Sequence, residues 1–308
     1  MRCSVVIPVY KSQETLPLLL ERLAQVLPGV AEAFEVLLVN DGSPDGSWQV
    51  VQGLADRYAW VQGIDLLRNY GQHNATLCGV RAARYEVIVT MDDDLQHPPE
   101  EIPHLLARLE EGFDVVYGIP RQRPHAWWRN GFSAFTKVVL SYVMGIRAIR
   151  DIGSFRAFRT NLRQAFANFN SPELILDVLL SWGTTRFATV PVEQMQRPRG
   201  GSNYTFSKLA QVALMVLTGF STTPLRLASV IGFLFTLLGG AAFLYVVIVY
   251  FTAGSIPGFP FLASLISLFS GAQLFALGII GEYLARVFDR TAARPCYAVG
   301  GRTGKGPE

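Results

Sequence analysis

Through the first third of the chain, short apolar runs alternate with longer stretches in which apolar residues return every three or four positions. The short runs Cys3–Val9, Glu35–Asn40, Val61–Leu67 and Glu86–Met91 have the length and β-branched content of buried strands. Between and after them, Glu14–Leu27, Ser47–Arg57, Gln72–Arg84 and Pro99–Glu111 carry helical spacing. That alternation predicts an α/β domain on a mostly parallel sheet with helices on both faces. Sheets of this kind bind ligands beyond the carboxyl ends of their strands. Three polar clusters fall there: Tyr10-Lys11, Asp41–Asp45 and Asp92–Gln96.

Further along, the pattern changes. Trp128, Phe132, Phe135, Val139 and Tyr142 recur at helical steps, as do Phe206, Leu209, Ala213, Leu217 and Phe220. Such stripes commonly pack on a core. The second leads straight into a lipid-like segment, so both, at about 126–146 and 203–221, are read as helices in a membrane interface. Residues 227–281 then contain no Asp, Glu, Lys, Arg or His. One span takes about 20 apolar residues. The stretch therefore holds two, at about 227–251 and 261–281, joined by the Gly/Pro-bearing Ala253–Gly258 turn. Lys208 and Arg226 precede the first span, Arg286 and Arg290 follow the second, and the turn is uncharged. The positive-inside rule then predicts a multi-pass protein of the inner (cytoplasmic) membrane with both termini cytosolic. The organisation expected is a cytosolic domain over 1–225, two spans within 226–284 and a cytosolic tail over 285–308.

Composition agrees with two solvents. Hydrophobic residues make up 50% of the chain, and the mean hydropathy is +0.27. The net charge of +3 is mild and no basic block suggests nucleic acid. Arg286, Arg290, Arg294, Arg302 and Lys305 suit a bilayer surface instead. Cys3, Cys78 and Cys296 have neither pairing nor metal spacing, which fits a reducing compartment. The N-terminus runs directly into a strand with no signal-peptide pattern.

The densest chemistry is Met91-Asp92-Asp93-Asp94-Leu95-Gln96-His97. Three adjacent carboxylates repel one another unless a cation or a donor network compensates, and hard oxygen ligands suit Mg²⁺ or Mn²⁺ bridging phosphates. An acidic, solvated turn would look the same. His97 reads as a turn residue, since its neighbours are oxygen donors. Asn40-Asp41-Gly42-Ser43-Pro44-Asp45 fits a nucleoside contact, but equally a plain capped turn. Arg197-Pro198-Arg199-Gly200-Gly201-Ser202-Asn203 is a basic, glycine-bearing loop suited to phosphate, or else a linker. Gly301–Gly306 is not a phosphate loop: Val299 stands where the first glycine belongs, and no Ser or Thr follows Lys305.

Together, Ser4–Tyr10, Val39–Asp45 and Asp92–Glu100 resemble the inverting family 2 glycosyltransferases. Arg68–His73, Thr222–Arg226, Gly281–Tyr283 and Arg294–Tyr297 are similar to the polyprenyl-phosphate branch, with its undecaprenyl-phosphate formamido-arabinose and glucose transferases. The resemblance implies a GT-A nucleotide-diphospho-sugar transferase fold followed by the interface helices and a transmembrane hairpin. It implies sugar transfer from a nucleotide-sugar, a UDP-sugar by preference, to polyprenyl phosphate, for envelope glycan or lipopolysaccharide. Pro8, Tyr10, Asp41, Asp92 and Asp93 would meet the nucleotide; Asp92, Asp94 and Gln96 would hold the divalent metal. Asp94, Asp151 and Arg197 would serve the reaction, and Arg156, Arg197 and Ser202 would face the phosphate or acceptor. Asn203 and Ser154 depart from the family's usual Lys and acidic residue. Partners expected are donor, polyprenyl phosphate and bilayer, with a homo-oligomer left open. The rivals are a processive polysaccharide synthase, whose Gln-x-x-Arg-Trp element is missing, and a silent nucleotide-binding scaffold.

Overall fold

The first strand is apolar at nearly every position, and all of it after Arg2 is buried, so it can only be the centre of a sheet covered on both faces. The computed structural model describes residues 1–121, 153–171, 174–195, 223–253, 258–292 and 294–304. The expected interface helices, Asp151, Arg197, Ser202 and most of the Ala253–Gly258 turn lie outside these residues. In chain order the strands are β1 (Arg2–Val9), β2 (Ala33–Asn40), β3 (Val61–Leu66), β4 (Val87–Thr90), β5 (Val115–Pro120), β6 (Arg156–Arg159), β7 (Phe187–Val192) and β8 (Val299–Thr303). The helices of the same unit are α1 (Leu16–Val30), α2 (Ser47–Arg57), α3 (Gln72–Ala82), α4 (Ile102–Glu110) and α5 (Leu176–Gly183). Two further helices, α6 (Thr223–Ala253) and α7 (Phe259–Thr291), precede β8.

The sheet order is β7-β5-β6-β4-β1-β2-β3-β8. β1 runs parallel to β2 and β4, β2 to β3 and β5 to β7, while β6 and β8 pair antiparallel with their neighbours. The mostly parallel sheet expected from the pattern is there. The chain steps from β1 outward to β3 and then returns to place β4 on the other side of β1. That reversal opens a crevice at the carboxyl ends of β1 and β4. Helix α1 shows how the core is filled: Leu16, Leu19, Leu20, Leu23 and Leu27 share one buried face at steps of three, one, three and four. Near the amino end of β2 Glu35 is fully buried, and Ser4 Oγ, Gln62 Nε2, Arg84 N and the Arg84 guanidinium donate to it at 2.7–3.0 Å. The end of α3 is closed by Arg163, whose Nη1 donates to the carbonyls of Val80, Arg81 and Ala83.

The segment expected as a tail corrects the sequence reading. Helix α7 runs on to Thr291, and Ala293–Glu308 belong to the first unit, with Met1–Leu209. There β8 closes the free edge of β3 (Gly63 opposite Thr303, Ile64 opposite Arg302). Cys296 is buried and its Sγ donates to the Ser171 carbonyl at 3.2 Å. An open β3 edge would be an aggregation template, so covering it has an evident use.

The second unit, Ala210–Ala292, contains α6 and α7. Leu225–Val249 and Leu268–Ala285 are long and apolar enough to cross a membrane, and of their described residues Ala228 alone is buried. Where the two helices meet, Phe235 and Phe269 stack edge to face at 5.9 Å. A Cβ on Gly239 would lie 2.8 Å from the Phe269 ring, so glycine is what permits that approach. Hydroxyls of Ser229, Thr236 and Thr252 donate to carbonyls one turn back, leaving little polar demand on the surroundings.

Candidate active site

The carboxyl ends of β1, β2 and β4 open into one cavity of about 710 Å³, lined by Pro8–Thr15, Asp41, Asp45, Asn69, Gly71, Gln72 and Asp92–Asp94. Pro8, Tyr10, Asp41 and all three adjacent aspartates are therefore in one place, as expected. Among the described residues, Lys11 (φ 58°) and Leu95 (φ 60°) alone among non-glycines have left-handed backbone, and both belong to this site. Strain of that kind persists where the surroundings over-determine it. At Leu95 it turns the chain so that Asp94 Oδ1 accepts the Gln96 N–H at 3.1 Å.

Each aspartate has a different task. Asp93 points back across the crevice: its Oδ2 accepts the Tyr10 N–H at 3.0 Å and the Ser12 hydroxyl. Burial pushes its carboxyl up to about 6, against these two hydrogen bonds. Asp92 lies between two donors, Gln72 Nε2 on Oδ1 at 2.5 Å and Ser154 Oγ on Oδ2 at 2.6 Å. Burial raises it too; the Ser154 bond opposes this and the Asp94 charge adds to it. Gln96 is anchored to the 194–195 segment, its carbonyl accepting the Met195 N–H at 2.8 Å and its Oε1 the Gln194 amide at 3.2 Å. His97 stacks on Phe155 at 5.0 Å, and burial lowers its pKa.

Asp41 is 3% exposed and spends both oxygens on backbone: Oδ1 accepts Tyr70 N–H at 2.7 Å, Oδ2 accepts Gly71 N–H at 2.8 Å. Burial raises its pKa and those two bonds pull it down. Gly42 (φ +58°) lets the two loops touch, since a Cβ there would sit 2.5 Å from the Arg68 carbonyl carbon. Arg68 in turn lies over the Tyr70 ring at 4.6 Å.

Arg156, expected on a phosphate, is placed elsewhere. It is 2% exposed, its guanidinium pairs with Asp177, and its Nε donates to Thr90 Oγ1 at 3.1 Å. Tyr117 OH completes Asp177 at 2.9 Å. A cation on a central strand is costly to bury unless paired, and Asp177 provides the pairing from α5. Thr90 Oγ1 donates onward to the Ser154 carbonyl at 2.6 Å. Sequence reasoning gave no role to Gln72, Ser12 or Asp177. Gln72 stands in the Arg68–His73 motif, but nothing local to it points at Asp92, twenty residues away.

The donor chemistry suits a hard divalent cation. Asp92 and Asp94 line the cavity with carboxylates, and a carboxylate has about four acceptor sites. Among the described residues no group of three His, Cys, Asp or Glu could hold a metal by itself. Mg²⁺-type ions take one or two carboxylates and complete their shell with substrate phosphates.

The sequence profile of glycosyl transferase family 2 matches residues 4–167. An undecaprenyl-phosphate 4-deoxy-4-formamido-L-arabinose transferase of Proteus mirabilis (strain HI4320) is 35% identical over 303 residues, covering 97% of this chain and 93% of that protein. One of the same description from Enterobacter sp. (strain 638) is 34% identical, covering 97% and 92%. Among solved structures, glucosyl-3-phosphoglycerate synthase from Mycobacterium tuberculosis, in complex with Mn²⁺, UDP-glucose and phosphoglyceric acid, superimposes with a TM-score of 0.51. It shares 15% identity and covers 70% of this chain and 77% of that one, a likeness of fold.

Proposed function

This chain belongs to glycosyl transferase family 2, and we propose that it moves a sugar from a nucleoside diphosphate to undecaprenyl phosphate with inversion at the anomeric carbon. The observation that carries this reading is likeness over 97% of the chain, apolar helices included, to transferases named for that acceptor. The nucleoside lies against Pro8, Tyr10 and the Asp41 loop, with Asp93 holding Tyr10 and Ser12 in place. Asp92, Asp94 and Gln96 would hold a divalent cation, Mg²⁺ or Mn²⁺, which would supply neutralisation of the charge on the departing diphosphate. The acceptor is a phosphate monoester, largely dianionic at neutral pH with a second pKa of about 6, so it needs little help from a base. Arg197 and Ser202 bind its phosphate and Asp151 orients it. An attack from the face opposite the diphosphate inverts the anomer.

Incubating the full-length protein in detergent with undecaprenyl phosphate, Mn²⁺ and a panel of UDP-sugars is expected to yield lipid carrying one sugar. EDTA is expected to stop the reaction and added Mn²⁺ to restore it. No lipid-linked product from any donor overturns the acceptor, and a polymer in place of a single transfer overturns the reaction type.

Two exposed apolar helices support a membrane protein, and the charges flanking them support the reading that both termini are cytosolic and residues 254–258 lie on the other side. The donor is made in the cytosol, so the domain that uses it must be there. With the native cysteines replaced, Ser255→Cys is expected to react with a membrane-impermeant thiol reagent in intact cells, while a cysteine at Glu308 does not. The reverse pattern would sink the topology.

A further inference from the structure

Asp92 is gripped from both sides by residues that no part of the reaction above requires. One oxygen accepts from Gln72 Nε2 at 2.5 Å, the other from Ser154 Oγ at 2.6 Å. The two donors arrive from unrelated parts of the chain, and each is anchored in turn. Gln72 is the first residue of α3, directly after Tyr70 and Gly71, whose N–H groups are fastened to Asp41. Ser154 is fastened through its carbonyl to Thr90 Oγ1, which accepts from Arg156, itself held by Asp177. A buried chain of hydrogen bonds thus runs from α5 through β6 and β4 to the acidic turn, and meets a second chain from the β3–α3 loop at Asp92.

We infer that Gln72 and Ser154 are positioning residues that hold the Asp92 carboxylate in one orientation for the cation. The inference deepens the proposed function and rests on it. Each grip uses one lone pair per oxygen of a carboxylate that lines the cavity, and a carboxylate has about four acceptor sites. Both grips come from neutral donors, so the carboxylate is oriented without its charge being cancelled, and a cation can still use it. A charged partner such as arginine would have oriented the group and neutralised it together. This also gives the departure at Ser154 a meaning. An acidic residue at that position would set a second negative charge against Asp92, whereas a hydroxyl donates to it. Groups that orient metal ligands in this way typically carry about 10–100-fold in metal affinity or activity.

Gln72→Ala and Ser154→Ala in the full-length protein test the inference by Mn²⁺ titration, followed by electron paramagnetic resonance with Mn²⁺ alone and with UDP. Each variant is expected to weaken Mn²⁺ binding about tenfold or more. Activity should be partly recovered at high Mn²⁺, and Ser154→Thr, which keeps the hydroxyl, should bind close to wild type. Mn²⁺ affinity within twofold of wild type in both alanine variants overturns the inference, also where melting temperature falls, since that outcome means packing alone. Asp94→Asn separates the two levels. If it binds Mn²⁺ as wild type does, or if wild type binds none, the metal reading itself fails and the positioning roles go with it.

Discussion

Asp94→Asn is expected to lower the transfer rate by a factor on the order of 10²–10³, the usual loss when a group that stabilises developing charge is removed. The substitution changes one oxygen to an amide nitrogen at nearly constant volume, so packing around the turn has no reason to fail. Asn can still accept the Gln96 N–H that Asp94 Oδ1 accepts now, which keeps the local turn closed. What is lost is a negative charge facing the cavity, beside a departing diphosphate. The measurement is single-turnover transfer of labelled sugar at saturating donor, with melting temperature and detergent-extracted yield as controls. A rate within a few-fold of wild type would remove Asp94 from the metal site. Binding of UDP without metal should be little changed, because the nucleoside wall is formed by Pro8, Tyr10 and the Asp41 loop.

Arg156→Ala is expected to act on stability instead. Removing one member of a buried ion pair costs about 3–5 kcal/mol, since the other charge stays behind without compensation. Here, among the described residues, Asp177 would keep the Tyr117 hydroxyl alone, in a site 5% exposed. A fall in melting temperature on the order of 10 °C follows for a domain of this size. Adding Asp177→Asn should recover part of it by removing the stranded charge. The alternative, in which Arg156 binds the acceptor phosphate, makes a different prediction: a raised KM for lipid at unchanged melting temperature. Thermal unfolding of the single and double variants, alongside acceptor titrations, separates the two. An unchanged melting temperature would return Arg156 to the acceptor.

Local composition was enough for the elements that lie between β1 and α4. Those strands are buried on both faces and so are continuous apolar runs, while the helices carry a single apolar stripe, and both signals are local. The boundaries moved by a few residues, as with α1, which starts at Leu16 and runs to Val30. The two long apolar helices were equally legible, because an uncharged stretch of 55 residues exceeds what an ordinary core demands. Strands β6 and β8 were not. Arg156-Ala157-Phe158-Arg159 and Val299-Gly300-Gly301-Arg302-Thr303 have no strand propensity worth the name, and they extend because β4, β5 and β3 offer them hydrogen bonds.

The same division runs through the site. That three carboxylates follow a buried strand and face a ligand crevice could be read directly. Which of them does what could not, because adjacent aspartates are chemically identical and differ only in direction. Direction comes from backbone angles at the turn, including a left-handed Leu95 that no residue type announces. It also comes from donors far along the chain: Ser12 and Tyr10 take Asp93, while Gln72 and Ser154 take Asp92. Arg156 is the plainest case. The family resemblance put it at a phosphate, and its fate was settled by Asp177 arriving on α5, since a buried cation takes the nearest anion that packing supplies.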